Sequence, residues 1–297
     1  YPLRRQRQMC IRDRGEGDPI RNWRTVKDGT SLWWWSLARN KQSITINLKS
    51  HEGQQLVRRL CEQCDVLIEN FRPGQMEKWG LGPTEIKQIN PSLIYTRISG
   101  YGQTGPYSSD PGFASVCEGF GGFRYVNGVP GEIPVRPNLS LGDTLAGIHA
   151  ALGVCMAYIR CLRHGEGKGQ VVDVSIFESV FNMLEAVVPE YSGAGEVREP
   201  SGSTIKGIVP SNTYRCKDGK LVIIGANTKG MFERLMRVIG RDDFADDKRL
   251  AINSERVVHE KVIDEAIAKW VATLPLEEVT AILKGQAVAV GPILNVE

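Results

Sequence analysis

Between Arg136 and His164 the chain reads RPNLSLGDTLAGIHAALGVCMAYIRCLRH, and almost everything after Gly142 and Asp143 is Ala, Leu, Ile, Val, Met or Cys. So long an apolar run, opened by a Gly-Asp corner, predicts a largely buried helix around which the remaining elements must pack. Asp143 stands at its mouth, where two chemistries suit a carboxylate. It can cap the helix, its oxygen accepting from the orphan N–H groups of the first turn and its charge matching the dipole. It can also act as a covalent nucleophile toward an activated acyl group, beside those N–H groups and a glycine that leaves room for the substrate. The stretch by itself leaves both open.

Length and composition bound the class. With 297 residues, 41% of them hydrophobic and 24% charged, the chain has enough apolar material for one large core or two domains. A net charge of +3, part of it at the extreme N-terminus, implies neither a nucleic-acid face nor a basic membrane stripe. No charge-free apolar run of 18 residues and no secretory leader are found, so a cytoplasmic or organelle-matrix setting without a membrane partner is expected, the cytoplasm first. The cysteines at 10, 61, 64, 117, 155, 161 and 216 are odd in number and mostly in apolar helical context, which predicts reduced thiols. Cys61 and Cys64 form one C-x-x-C without a second pair or a histidine at ligand spacing, and no metal site is expected.

The order of elements predicts an α/β fold. Residues 1–14 carry basic residues without periodicity, resemble a translated adapter sequence, and are set outside the fold. The alternation over 43–48 predicts a strand, 51–64 an amphipathic helix, and 65–69 a short buried strand. Strand, helix and strand in that order imply a parallel, Rossmann-like sheet. Further strands are expected at 93–98 and 171–175, the first followed by the glycine-rich loop Ser99–Pro106 and the second by an apolar helix over 176–188. Residues 189–210 lack periodicity and read as a linker between a large domain, 15–188, and a smaller α+β domain, 211–297. That smaller domain should open with a hairpin around Lys217-Asp218-Gly219-Lys220, continue with helices at 229–239, 254–272 and 276–284, and end on an incoming strand over 287–292.

Five short motifs occur along this frame: Arg39-Asn40-Lys41-x-Ser43, Glu69-Asn70-Phe71-Arg72-Pro73-Gly74, Gly100-Tyr101-Gly102-Gln103-x-Gly105-Pro106, Gly142-Asp143, and Gly167-x-Gly169-Gln170-x-Val172-Asp173. In this order and spacing the chain resembles the family III coenzyme A transferases, the group that includes formyl-CoA transferase, carnitine CoA-transferase and succinyl-CoA dependent dicarboxylate transferases. The resemblance implies that Asp143 is the catalytic nucleophile and that coenzyme A is held by Arg39, Asn70, Phe71 and Lys78, with Trp79 facing the adenine. It implies acyl-CoA and a small carboxylic acid as substrates, no permanently bound cofactor, and an interlocked homodimer. Relatives carry a strand and glycine-rich turn before the point matching Gly15 and continue past residue 297, so the chain is expected to be a fragment, incomplete at both ends of its large domain. Where relatives often carry an acidic residue near the start of the glycine-rich helix, this chain has Phe113, which leaves the support of Asp143 open. Arg72, Arg97 and Arg136 are candidates for a second carboxylate of a dicarboxylic substrate, or else for structural ion pairs.

Two rival functions remain in view. An α-methylacyl-CoA racemase would pair the aspartate with a histidine about 30 residues earlier, yet no histidine lies between His51 and His149, and Gly112 and Phe113 occupy the corresponding place. An inactive chain with a binding role only is the other.

Overall fold

The computed structural model describes residues 8–12, 17–164 and 167–297. The chain divides into two compact units, the first running to Phe123 and resuming over Pro137–Leu184, the second built from Arg124–Arg136 and Glu185–Glu297. The fold is mixed α/β with a parallel sheet. Residues 1–7 and 13–14 of the segment set outside the fold from sequence lie outside the described residues. Its remainder, β1 (Gln8–Arg12), is a strand.

After β1 come the two-residue strands β2 (Val26–Lys27) and β3 (Thr30–Ser31), then the short helix α1 (Leu32–Leu37) and β4 (Lys41–Thr45). β4 forms a parallel ladder with β1, Ser43 opposite Cys10. The strand expected over 43–48 therefore ends at Thr45, and Ile46 and Leu48 leave the ladder to be buried in the core below. Helix α2 (His51–Cys61) starts at Ser50, whose Oγ accepts from the Gly53 N–H at 3.1 Å. A Cβ on Gly53 would meet the Asn47 carbonyl oxygen at 2.0 Å, so only glycine lets the helix lie this close to the segment before it. Val57 and Cys61 point into the core with Met76, Leu81, Ile86 and Tyr95. Burial pushes the Cys61 thiol up to about 11, with the neighbouring Cys64 adding to the rise, so it stays a protonated apolar filler.

The main sheet of the first unit has the order β5-β6-β7, all parallel: β5 (Val66–Glu69), β6 (Ile94–Ser99) and β7 (Val171–Ser175). β4 is not hydrogen-bonded to β5, so the parallel crossover expected between 43–48 and 65–69 falls instead between β5 and β6. It runs through α3 (Gln75–Lys78) and α4 (Pro83–Ile89), the latter with proline at its first position, where a missing N–H costs nothing. β6 is central and buried along nearly its whole length, as a strand covered on both faces must be. Between β6 and β7 lie α5 (Ala114–Phe120), the turn α6 (Phe123–Val126) and α7 (Leu141–His164), and α8 (Ile176–Phe181) follows β7 directly.

Helix α7 departs from the expectation of a largely buried helix. Its inward stripe is Gly142, Ala146, Ala150, Gly153 and Ala157, residues small enough for close approach. A Cβ on Gly153 would lie 2.6 Å from Val172 Cγ1. The large residues Ile148, Leu152, Met156, Ile159 and Leu162 turn the other way and are exposed. The run is apolar on every side, so no period in the sequence marks which side packs. By length and composition alone Leu141–Arg163 would also suffice to cross a membrane, which a search for a charge-free run does not detect.

In the second unit α9 (Val187–Ala194) runs into the first part of the 189–210 stretch, where no periodicity is seen in the sequence. The antiparallel sheet β10-β9-β8 follows, from β8 (Ser211–Arg215), β9 (Leu221–Gly225) and β10 (Ala289–Pro292). Around it stand α10 (Lys229–Val238), α11 (Asp242–Ala245), α12 (Asn253–Val258), α13 (Glu260–Val271) and α14 (Leu276–Gly285), with Phe232, Leu235, Ile263, Ile267, Val279 and Leu283 in the core. The single helix expected over 254–272 breaks at His259 into α12 and α13. Arg256 is buried there and donates to the carbonyls of Val209 at 2.8 Å and Leu250 at 2.9 Å, giving these backbone groups a partner inside the core.

Candidate active site

Asp143 is the third residue of α7, not the residue that caps it. The helix begins at Leu141, and its first intrahelical bond runs from the Thr144 N–H to the Ser140 carbonyl at 3.0 Å. Asp143 is exposed within the first turn, where the helix dipole favours its negative charge. The preceding Gly142 is buried, and a Cβ there would stand 3.2 Å from Ala114 Cβ and 3.3 Å from Ile176 Cγ2. Glycine thus lets three helices, α5, α7 and α8, converge at this corner. The Gly142 N–H donates to Glu118 Oε1 at 3.2 Å. Glu118 is wholly buried on α5, and sequence reasoning missed it because the contact spans 24 residues.

The glycine-rich loop arrives at the same corner from the end of β6. The Gly100 carbonyl accepts from the Phe177 N–H at 3.0 Å and from Cys117 Sγ and Ser175 Oγ, both at 3.3 Å. A Cβ on Gly100 would come within 2.8 Å of Gly112 Cα, so two backbones touch where side chains would keep them apart. Farther along, the Gln103 N–H donates to Asp173 Oδ2 at 2.9 Å, tying the loop to β7. Cys117 is the other nucleophile type at this corner. Burial, then the negative charges of Asp143 and Glu118, push its thiol up to about 11, so at neutral pH it is protonated and unreactive. Asp143 is the exposed carboxylate at this corner.

A second cluster forms beyond the carboxyl end of β5, where ligands of parallel sheets collect. Glu69, the last residue of β5, is buried and accepts from the Phe71 N–H at 2.8 Å and from Arg97 Nε at 2.6 Å. Gly74, at φ +79°, turns the chain into α3, and this return sets the Phe71 and Trp79 rings edge to face at 5.1 Å. Lys78, the last residue of α3, and Asn70 are exposed beside these rings in sequence. Arg97 also grips Glu77 of α3, with contacts of 2.6 and 3.1 Å. Burial raises the Glu69 carboxyl above its ordinary value despite both of its donors. For Glu77 burial acts in the same direction, but the Arg97 bonds outweigh it and hold that carboxyl below the usual range. Arg97 is only 5% exposed and is engaged by two carboxylates, so it serves as a structural ion pair and is not available to a substrate.

Arg39 belongs to an earlier segment, between α1 and β4. It is exposed in the turn before β4, donates from Nε to the Ser36 carbonyl at 3.0 Å, and lines a hollow with Ser36, Leu37 and Asn40. Among the described residues it makes no hydrogen bond, ion pair or ring contact with Asn70, Phe71, Lys78 or Trp79. Phe113 is 78% exposed at the start of α5 and offers no polar atom to the Asp143 corner. The buried carboxylate that reaches that corner comes instead from Glu118, five residues farther on.

A model of CoA-transferase family III matches residues 11–297. The succinyl-CoA–D-citramalate CoA-transferase of Chloroflexus aurantiacus is 43% identical, the match covering 94% of this chain and 69% of that protein. The alpha subunit of the succinyl-CoA–L-malate CoA-transferase of the same organism is 40% identical, with 94% of this chain and 66% of that protein covered. The chain thus spans about two thirds of the length of these curated relatives. A CaiB/BaiF family protein from Brucella suis superposes with a TM-score of 0.83 at 31% identity, over 97% of this chain and 76% of that one. With a family model matched over nearly all its length and the same fold in a solved relative, the chain belongs to CoA-transferase family III.

Proposed function

We propose that this protein moves coenzyme A from an acyl-CoA donor, succinyl-CoA, to a second dicarboxylic acid by way of Asp143. The observation that carries the reading is the exposed Asp143 carboxylate in the first turn of α7, behind a glycine whose N–H is already engaged. The named relatives support the substrate class: succinyl-CoA as donor, with citramalate or malate as acceptor, are acyl groups and acids of one dicarboxylate type.

The chemistry follows from the carboxylate. Asp143 attacks the thioester carbonyl, the C–S bond breaks, and an aspartyl mixed anhydride forms with release of CoA thiolate. The thiolate then attacks the aspartyl carbonyl of the anhydride, releasing the first acid and leaving an aspartyl-CoA thioester. The acceptor carboxylate displaces CoA as a second anhydride, and the returning thiolate takes the new acyl group and regenerates Asp143. Each step exchanges groups of similar activation, and each tetrahedral oxyanion needs nearby N–H donors, which the first turn of a helix presents.

In the same reading Asn70, Phe71, Lys78 and Trp79 hold coenzyme A, the rings giving a stacking edge and Lys78 a cation for phosphate, with Arg39 as a second cation. The protein works as a homodimer in the cytoplasm. Replacing Lys78 by Glu is expected to raise KM for acyl-CoA about tenfold while kcat falls less than threefold, as loss of a ground-state phosphate contact should. Steady-state kinetics with circular dichroism as a folding control check this, and an unchanged KM would return Lys78 to a solvated charge. Incubating the purified protein with a panel of acyl-CoA donors and acids, read by mass spectrometry, tests the activity itself. Exchange of the proton beside the thioester without transfer would indicate a racemase, and no turnover of any pair would leave a binding role.

A further inference from the structure

The first turn of α7 presents backbone N–H groups that have no acceptor inside the helix. One of them, on Gly142, is taken by Glu118, a carboxylate of another helix with no exposure to solvent. The neighbouring residue on that helix, Cys117, holds the Gly100 carbonyl of the glycine-rich loop. Two consecutive residues of α5 therefore grip both segments that meet around Asp143. The grip has a physical purpose. Gly142 has no side chain to lock its peptide, and glycine explores more backbone conformations than any other residue. A nucleophile carried on the next residue would inherit that freedom, and misplacement by about 1 Å can cost roughly a hundredfold in rate.

Resting on the reading of Asp143 as nucleophile, we propose that Glu118 is a positioning residue, its Oε1 holding the Gly142 N–H so that the Leu141–Gly142 peptide, and with it the Asp143 carboxylate on the next residue, keep one orientation. Glu118 is buried away from solvent and reaches the Asp143 corner through the Gly142 backbone. Its part in the reaction is as a hydrogen-bond acceptor. An amide oxygen can fill that place, whereas a side chain without an oxygen cannot.

The test compares Glu118→Gln with Glu118→Met in the full chain. For Glu118→Met, kcat is expected to fall 10- to 100-fold while KM for acyl-CoA stays within threefold, because the Phe71–Trp79 cluster is untouched. Glu118→Gln is expected to recover at least a third of the wild-type kcat. Amide exchange across residues 140–146 supplies a readout independent of turnover: protection of the Gly142 N–H should be present in the wild type, retained in Glu118→Gln and lost in Glu118→Met. The wild-type measurement alone is decisive if Glu118→Met does not fold, since a Gly142 N–H that exchanges as fast as an open first-turn amide would overturn the assignment. Equal loss of kcat in both variants, or wild-type kcat in Glu118→Met, would do the same. If the wild type forms no adduct on Asp143 but the exchange contrast holds, the nucleophile reading fails and the Glu118 contact stands.

Discussion

Asp143→Asn is expected to lower CoA transfer by about 10⁴-fold or more while leaving the protein folded, because a carboxamide cannot form the anhydride. The substitution keeps shape and removes charge. Since Asp143 lies in the first turn and is not the capping residue, what the helix itself loses is one charge–dipole interaction, about 0.5 kcal/mol. For a chain of this size that corresponds to a shift in Tm of no more than about 3 °C. The positive control is chemical: wild-type protein incubated with acyl-CoA and quenched with hydroxylamine or borohydride should carry its modification on the peptide containing Asp143. An adduct on a different carboxylate, or full activity in Asp143→Asn, would remove the mechanism.

Arg97→Met should produce the largest loss of stability, about 3 kcal/mol or about 10 °C in Tm, because it leaves the Glu69 carboxylate buried without its cation. Glu77 adds little, since its side chain is 40% exposed and can be solvated. The deficit should depend on pH. Glu69 already has a raised folded pKa and loses its guanidinium in the variant, so its stabilising contribution is present at low pH and is lost as pH rises through the folded value. Glu77 is lowered in the wild type, so the stability it contributes there is lost on acidification, a loss the variant does not share. Both effects make the gap between the two proteins widest near pH 7 and narrower toward about pH 4. Denaturant unfolding at several pH values checks this, and a gap independent of pH would mean that the ion pair matters only as packing. With the anchor of α3 gone, KM for acyl-CoA should rise more than kcat falls.

How far the fold could be read beforehand depended on the range of the signal. The strand at 171–175 and the hairpin of the second unit appear where local alternation and a Asp-Gly turn place them. Helix α7 was found by its length, but its packing side was invisible because Ile148, Leu152 and Met156 are as apolar as the residues that pack, and size rather than polarity decides the inward stripe. The cap reading of Asp143 fails because the helix begins at Leu141, ahead of the Gly-Asp pair, which the apolar run after Asp143 does not reveal. Glu118 and Arg97 could not be ranked at all. Their roles come from partners 24 and 28 residues away, and a glutamate between apolar helical neighbours or an arginine in a strand gives no local sign of its partner.

Glu69, Arg97 and Asp173 stand opposite one another on neighbouring strands, Glu69 paired with Arg97 and Arg97 with Asp173. A single rung of the ladder thus reaches three places: Glu69 holds the Phe71 loop, Arg97 holds α3, and Asp173 holds the glycine-rich loop. The spacing between the Phe71 segment and the loop beside Asp143 is then a multiple of the interstrand distance, about 4.8 Å per strand, and is metered by backbone hydrogen bonds. Core substitutions that merely change side-chain volume leave this gauge as it was, whereas a slip of β6 by one residue would turn Arg97 to the opposite face and detach the anchors on both sides together.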